Sequence, residues 1–560
     1  MKSAIKIFDL FINLYFFVIL SLFLADYSFI FSNGISNFSF QALIFACLFF
    51  LRWLIAKESI YEIFFVKMIE KITRKSDKVI LISIFIFFVL VFSLIGIERH
   101  WAISSSGYDL AVTDQAVWNT TRGNMLFSSL DGNISHLGAH FEPILLLIVP
   151  FYMIWNNLIV LILLQSFALG LAIFPLYLIA KLKLKSRFLI FSFVIAYFLS
   201  RPVRGIGLLD FHTESFLVPL SLFSYYFLVT NRIKMVFAAI FLMLLCKENA
   251  AFLVIGFGIF SFLSLKKYKL GIFLFIIGIA AWLIETKLII PYFANTNDYP
   301  YLVWMPFGKT YLENITAVIK NPFLIFNLAF GPGKIDFYLK LFGPIGFLSF
   351  LSPVHYVLFL IPLATQIIGS IRHPGMQTIT SHYPAHTIPF IFIAAIYGIA
   401  WLLDKFGNSK ARYEKISFYS AAYLIAFSLA FYGKSDGHKL SKFINGANEI
   451  NSNEVFSALK IIPQDSSVCA VNGLVPHLSH RKFIYIWKES KEFKNNCEYV
   501  VIHNKPRETE SESISNIIDN LKKSGYQLIY AGPKITLYIF YSPHIDKTLL
   551  EKQDKKFSII

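Results

Sequence analysis

The sequence predicts an α-helical polytopic membrane protein with a small α/β region at its C-terminal end. Three observations carry that prediction. Of the 560 residues, 56% are apolar and 15% charged, whereas a soluble surface alone is about a quarter to a third charged. Mean hydropathy is +0.62. Apolar runs of helical-span length recur as far as about residue 432, and short β-like runs replace them beyond it. Disorder is excluded, since it requires low hydrophobicity. Four Cys in 560 residues exclude a disulfide scaffold. The 61 Phe suit lipid-facing helices and carry no functional signal of their own. The net charge of +17 does not point to nucleic acid, because the basic residues punctuate apolar runs instead of gathering on one soluble face.

About 13 segments read as spans: 7–30, 38–56, 78–97, 157–180, 188–202, 214–230, 235–246, 250–265, 270–290, 337–350, 354–369, 385–403 and 416–432. Several fall short of the ~20 residues a perpendicular helix needs. With the N-terminus in the cytoplasm, Lys and Arg concentrate in the inside segments, as the positive-inside rule requires. Thirteen crossings then place the C-terminal region outside. The first apolar run is too long for a cleavable signal peptide and reads as an anchor helix. Three regions follow. Residues 1–77 hold two spans and a basic cytoplasmic loop. Residues 78–432 form the transmembrane core, with a large outer loop over 98–156. Residues 433–560 form an extracytoplasmic α/β domain. The location is the cell membrane, and the lipid bilayer is the first partner.

The outer loops hold the polar chemistry. The first carries Asp109, Asp114, Asp131, His136, His140 and Glu142. The apolar stretch 143–155 after it is too short to span and reads as an interfacial helix. The second runs from Arg201 and Arg204 to Asp210, His212 and Glu214. In an extended segment, Asp210 and His212 point the same way. With Glu214 they suit a divalent metal, Mg or Mn; solvated residues at the headgroups are the alternative. Lys247-Glu248-Asn249 interrupts an apolar stretch and reads either as the wet end of two short helices or as an exposed turn with Lys247 snorkelling. The last outer loop offers Arg372, His382 and Tyr383, groups able to hold a phosphate, or an ordinary polar loop. In the tail, 467–472, 483–487, Tyr499–His503, Gln527–Ala531 and 535–542 read as strands, and 513–524 as an amphipathic helix. Cys469 and Cys497 form a candidate disulfide if the tail is exported. No phosphate-binding G-x-x-x-x-G-K-[ST] loop, G-x-S-x-G elbow or H-E-x-x-H motif occurs.

Tyr108-Asp109-Leu-Ala-Val-Thr-Asp114-Gln115-Ala-Val-Trp118-Asn119, then Gly123, His136 and His140-Phe141-Glu142-Pro143, form a recognisable set. Asp210-Phe211-His212-x-Glu214, Lys247-Glu248, His382-Tyr383 and Val475-Pro476-His477-Leu478-Ser479-His480-Arg481 follow in order. Together, over roughly 78–545, they resemble the "domain of unknown function 2079" family of prokaryotic membrane proteins. That architecture is similar to GT-C class glycosyltransferases, which use polyprenyl-phosphate sugars at the outer membrane face. The resemblance implies a GT-C-like core and an Asp in the first outer loop, matched by Asp109. It also implies a D-x-H metal motif in the second outer loop, matched by Asp210 and His212. The region after His140 departs from the His-Pro-Pro-Leu tetrad of mannosyltransferase relatives.

The implied function is transfer of a sugar from a polyprenyl-phosphate donor to a glycan, lipid or protein acceptor. Asp109 is the expected base, with Asp114 second. Asp210, His212 and Glu214 are the expected metal ligands. Arg201, Arg204, Lys247, Arg372, His382 and Tyr383 are the expected donor partners, and His136, His140, Glu142 and Glu248 complete the site. The alternatives are a non-enzymatic lipid-linked-sugar carrier or flippase, and a structural membrane protein.

Overall fold

The computed structural model describes residues 76–301, 306–308, 310–432, 452–487, 497–503, 514–531 and 537–542. The spans expected at 7–30 and 38–56 lie outside them. The chain begins with α1 (Asp77–Trp101), a π-helical turn (Gly107–Ala111) and α2 (Val112–Thr120). A two-stranded antiparallel ribbon, β1 (Phe127–Ser128) and β2 (Ile134–Ser135), follows. A 3-10 turn (Pro143–Leu147) and α3 (Val149–Ile154) occupy the expected interfacial stretch. Next come α4 (Ile159–Leu171), α5 (Ile173–Lys183), α6 (Arg187–Leu199), α7 (Arg201–Leu208) and α8 (Glu214–Val229). They are followed by α9 (Ile233–Leu244), α10 (Ala250–Leu263) and α11 (Tyr268–Ile284). A second π-helical turn (Glu285–Ile289) and α12 (Ile290–Ala294) prolong α11. The helical part ends with α13 (Tyr311–Lys320), α14 (Pro322–Phe330), α15 (Lys334–Phe342), α16 (Leu360–Gly369), α17 (Ile388–Phe406) and α18 (Lys410–Ala430).

Among the described residues, four helices are long and apolar enough to cross a membrane: α1, α4–α5 as Ile159–Lys183, α11–α12 as Tyr268–Ala294, and α17. The bent pair α6–α7 makes a fifth. The expected count of 13 is not reached by this measure, because α8, α9, α10 and α16 are apolar but have 10–17 residues. α4–α5 and α17 are two-thirds buried and central, whereas α1 and α11 turn most of their surface outward. Gly258 and Gly271 let α10 and α11 approach closely: a Cβ at Gly258 would lie 2.6 Å from the Phe275 nitrogen. Small residues at such crossings allow close backbone packing.

Two sequence expectations are corrected here. The stretch from Arg201, expected as loop, opens with α7. Pro202 sits in its first turn, where a missing N–H leaves no bond unmade, and the axis bends 45° from α6. The segments 337–350 and 354–369 are not each one helix of spanning length: they hold α15 of nine residues, α16 of ten, and 3-10 turns between them. Lys334, at the start of α15, donates from Nζ to the Ile367 carbonyl at 3.3 Å near the end of α16. The connection between them turns back at mid-helix depth: Leu348 and Leu351 pack on Gly398 of α17, and Leu358 on Gly256 of α10. His355 Nε2 there meets the Tyr225 hydroxyl of α8 at 2.8 Å. Pro344, Pro353 and the positive φ of Gly346 and Phe347 explain the break in helix. Irregular backbone at that depth is tolerated when buried in protein. Residues 334–369 thus form a hairpin whose two ends meet at Lys334 and Ile367.

The helix ends sort by charge. Lys181, Lys183, Lys185 and Arg187 lie between α5 and α6, Arg232 between α8 and α9, Lys266 and Lys267 between α10 and α11, and Lys405 and Lys410 between α17 and α18. Contacts confirm that these termini share one end of the bundle: Arg187 pairs with Asp77 at the start of α1, and Lys267 Nζ donates to Leu228 O at 2.9 Å.

The tail contains α19 (Ser452–Leu459), β3 (Val468–Ala470), β4 (Ile484–Ile486), β5 (Tyr499–His503), α20 (Ile514–Lys523), β6 (Gln527–Ala531) and β7 (Leu537–Tyr541). Strand order is β4-β3-β5-β7-β6. β3 is parallel to β4 and β5, and β7 is antiparallel to β5 and β6. Cys469 and Cys497 form a disulfide with Cα atoms 5.6 Å apart. The tail core includes Ile103 and Ala111 of the first outer loop, so the loop and tail are packed as one body.

A buried latch fixes that packing. Asp114, expected as a second base, is fully buried. It accepts from the Tyr152 hydroxyl at 2.7 Å and the Ser479 hydroxyl, and meets His480 Nε2 at 3.1 Å. It is a tether for the tail and does not line the cavity described below. Gln115 Nε2 donates to Arg481 O and Lys482 O, both at 3.0 Å, and Ser129 joins Ile484. Burial raises the Asp114 carboxyl, but His480, Ser479 and Tyr152 hold it below its ordinary range. Burial lowers His480, and Asp114 more than reverses this. The Asp114 contribution is full above about pH 4, and the His480 contribution is full below about pH 6.5. The latch is therefore tightest between those values and weakens as pH rises through the raised His480 pKa. Trypsin cleavage within 472–487, set against a pH-matched control substrate, is expected to quicken from pH 6 to pH 9. Asp114→Ala should cost about 3–5 kcal/mol of tail docking and remove the pH dependence.

Candidate active site

A cavity of about 270 Å³ opens at the end of the bundle away from the basic turns. It is lined by Tyr108, Asp109, His136, His140 and Glu142 of the first outer loop, by Phe211, His212 and Glu214, and by Lys247, Glu248 and Asn249. Trp282, Tyr299, Tyr301, Thr365, Gly369, Met376, His382 and Tyr383 close it. Ten of the expected site residues therefore meet in one place, from segments far apart in sequence.

Asp109 sits on the π-helical turn that precedes α2. π-turns of this kind recur at functional sites. Its position is set from both sides. Ser106 caps the turn, its side chain accepting from Tyr108 N at 3.1 Å. The Ser106 N–H donates to the Asp210 carboxylate at 2.8 Å, which also faces Arg99 at 3.6 Å. From the tail, Asn472 Oδ1 accepts the Gly107 N–H at 2.7 Å. A Cβ on Gly107 would lie 3.0 Å from both Asn472 Oδ1 and Val475 Cβ, so a side chain here would press the tail outward.

His212 faces Asp109, with Nε2 3.5 Å from Oδ1. Its Nδ1 lies 2.8 Å from the Asp210 carbonyl. A carbonyl only accepts, so Nδ1 carries the proton. Nε2 then attracts the carboxylate fully only as an imidazolium. Burial lowers the His212 pKa, and Asp109 and Glu214 more than reverse it, so it is raised. Burial likewise raises Asp109, and His212 and His382 bring it below its ordinary range. The backbone of this turn is strapped by Gln165 on α4. Its Oε1 accepts from His212 N at 2.8 Å, and its Nε2 donates to Leu209 O at 2.9 Å and Ile206 O at 3.0 Å.

The floor is a buried ionic cluster. Lys247 Nζ lies 3.0 Å from Glu142 and 3.0 Å from Glu214. An ammonium has three donors, so one N–H remains beyond these two. Burial opposes the charge on Lys247, and the carboxylates more than offset it. His136 lies 3.5 Å from Glu142 and 2.8 Å from Asp131. Burial lowers the imidazole, but these carboxylates push it up to about 10. His382 stacks on His212 at 4.0 Å between ring centroids and lies 3.6 Å from Glu214. Burial and the His212 charge hold His382 well below the ordinary imidazole range. A second network lines the opposite wall. Glu248 accepts from Tyr299 OH at 2.7 Å and Phe141 N at 3.1 Å, and meets His140 Nδ1 at 3.0 Å. Tyr301 joins His140 Nε2 at 2.9 Å and stacks on its ring.

Asp210, His212 and Glu214 do not form the expected ligand set. Asp210 is turned to Ser106 and Arg99, His212 to Asp109, and Glu214 to Lys247. Among the described residues no group of three or more His, Cys, Asp or Glu side chains is arranged to hold a metal ion. The five-residue stretch bends at 209–213, which defeats the same-side geometry of an extended strand. Arg201, Arg204 and Arg372 are not cavity residues either. Arg204 is buried with its guanidinium 3.4 Å over the Tyr432 ring and donates to the Tyr432 carbonyl. The sequence alone did not single out Arg99, Gln165, Tyr299 or Tyr301. An amide inside an apolar helix was the available signal for Gln165, but its partners lie more than forty residues away.

The profile of a family described as "Predicted membrane protein (DUF2079)" matches residues 99–532. The chain belongs to this family. The match spans the first outer loop, the cavity and most of the tail, so the DUF2079 segment contains every cavity residue named above. No curated protein matches the chain in sequence. Among solved structures, the chain is similar to ArnT from Cupriavidus metallidurans bound to undecaprenyl phosphate, with 10% identity, coverage of 82% of this chain and 97% of that one, and a TM-score of 0.47. It is also similar to the same protein in the apo state, with 11% identity, coverage of 83% and 98%, and a TM-score of 0.46.

Lys247→Met should leave Glu142 and Glu214 buried without their cation, a loss of about 3–5 kcal/mol. Thermal unfolding in detergent is expected to show a clear fall in Tm. Adding Glu214→Gln to that variant should recover part of it.

Proposed function

We propose that this DUF2079 protein is an integral membrane glycosyltransferase that takes a sugar from a polyprenyl-phosphate donor. One observation carries the reading. Asp109, with 38% of its side chain accessible, is held 3.5 Å from His212 Nε2 at the rim of a cavity walled by acid–base side chains. The donor class is the one the loop motifs imply by their resemblance to GT-C enzymes.

In this reading the Asp109 carboxylate orients the acceptor hydroxyl and takes its proton as the acceptor oxygen attacks the anomeric carbon. The bond from that carbon to the phosphate oxygen breaks, and the electron pair leaves with polyprenyl phosphate. His212 and the remaining Lys247 N–H are the nearest positive donors for the departing phosphate. The aromatic side chains Trp282, Tyr299 and Tyr301 offer faces for a sugar ring. No step is routed through a metal ion. The basic turns lie at the opposite end of the bundle, so the positive-inside rule puts the cavity and the tail on the side away from the cytoplasm, with the described spans entering from the cytoplasmic side.

The test is turnover of radiolabelled polyprenyl-phosphate sugars by the full chain in lipid vesicles. Wild type should release sugar from one donor. Asp109→Asn should lose about 10²–10⁴-fold while inserting normally. A carrier that only binds would relocate the donor intact in both proteins. The pH profile gives a second check. Transfer needs Asp109 ionised and His212 charged. The lowered Asp109 pKa keeps the acid limb below about pH 4, and the raised His212 pKa sets an alkaline limb above about pH 6.5. His212→Gln should reduce the rate and abolish that alkaline limb.

A further inference from the structure

We infer that α13 and α14 form a monotopic hairpin that dips into the lipid bilayer beside the cavity, in a stretch the sequence reading treated as outer loop. Two stripes carry the inference. On α14, Phe323, Phe326 and Phe330 are spaced i, i+3, i+7 along one helix face and are 78%, 61% and 55% exposed. On α13, Leu312 and Ile319 are seven residues apart and 70% and 71% exposed. A contiguous exposed apolar surface of this kind marks an interaction site.

The occupant is lipid because α14 packs on α16, a short apolar helix of the membrane bundle, so its exposed stripe continues the outward apolar surface of that bundle. Leu360 at the start of α16 is also exposed, as are Ile335 and Leu339 on α15, a helix that turns its Asp336–Lys340 ion pair outward as well. α14 packs directly on α15 and α16. Polar groups sit where the interface demands: Glu313, Lys320 and Asn321 are exposed on the same segment, and Asn314 is buried, closing the N-terminal turn through Phe307 N and the Gly308 carbonyl. Neither helix can span, since ten and nine residues reach about 15 Å at 1.5 Å per residue. Such helices lie in the headgroup–acyl boundary. Thr365 and Gly369 of α16 line the cavity, so the hairpin is one helix removed from the cavity wall and fixes that wall at headgroup level.

The test uses the full chain with Cys47→Ser and Cys246→Ser, leaving the Cys469–Cys497 disulfide, in vesicles of phosphatidylethanolamine and phosphatidylglycerol. Single cysteines at Phe326 and Glu313 are labelled with bimane, and Ile272→Cys on the outward face of α11 serves as the lipid reference. Expected is quenching of the Phe326 probe by brominated lipid to within twofold of the Ile272 reference, with the Glu313 probe quenched chiefly by aqueous iodide. Iodide quenching at Phe326 equal to that at Glu313 would overturn the inference. So would protection from both quenchers that disappears on dilution into excess lipid, which would identify a second copy as the occupant.

Discussion

Lys247 between Glu142 and Glu214 is the contact on which the site depends. It joins three separate stretches of chain: the end of the first outer loop, the start of α8, and the turn between α9 and α10. A lone ammonium at this depth would be expelled or discharged. Two carboxylates without it would repel each other. Each group is tolerated only because the others are present, so the three elements are held in register by mutual need. From Glu142 the network of contacts passes to His136 and Asp131, and from Glu214 to His382 and the stacked His212. Asp109 stands at the end of that network, where the buried cluster reaches the accessible rim.

A second constraint acts from above. The tail does not sit on the membrane part as a separate unit, because its core includes residues of the first loop and its Asn472 grips the turn that carries Asp109. Arg99 and Asp210 hold the same turn from below. Catalytic geometry of the proposed kind tolerates little looseness, and support from two sides is how this chain supplies it. Gln165 plays the matching part for His212. It spends both ends of its amide on the backbone of the turn between α7 and α8.

Much of this was legible in the sequence. Composition gave the membrane class. Apolar runs located α1, α8, α10, α11 and α17 to within a few residues, and the tail strands emerged from their alternation. The resemblance of the loop motifs pointed to Asp109, and rare charged residues between apolar runs pointed to His212, Glu214 and Lys247, because a charge kept near lipid has a reason to be there. What was not legible was direction. Asp114 and Asp109 differ by five positions on one turn and helix, yet one meets the tail and the other the cavity. Asp210 and His212 looked like two ligands on one side, but a bend in the backbone sends one to Ser106 and the other to Asp109. Arg204 looked like a free cation and is packed on Tyr432. Hydropathy marked 337–350 and 354–369 as two spans because it reports burial from water and cannot tell one long helix from short ones joined by turns.

The grip of Asn472 on Gly107 bears on how the molecule comes into being. The two residues are 365 positions apart, so the turn holding Asp109 emerges early in synthesis and waits for nearly all the remaining chain before its upper support exists. Every span between them must first be inserted, and the tail must be folded and in place. A chain stalled or clipped before residue 472 would carry all the cavity side chains and still lack the clamp that aims Asp109. Completion of the polypeptide is in that sense the final step in assembling the site.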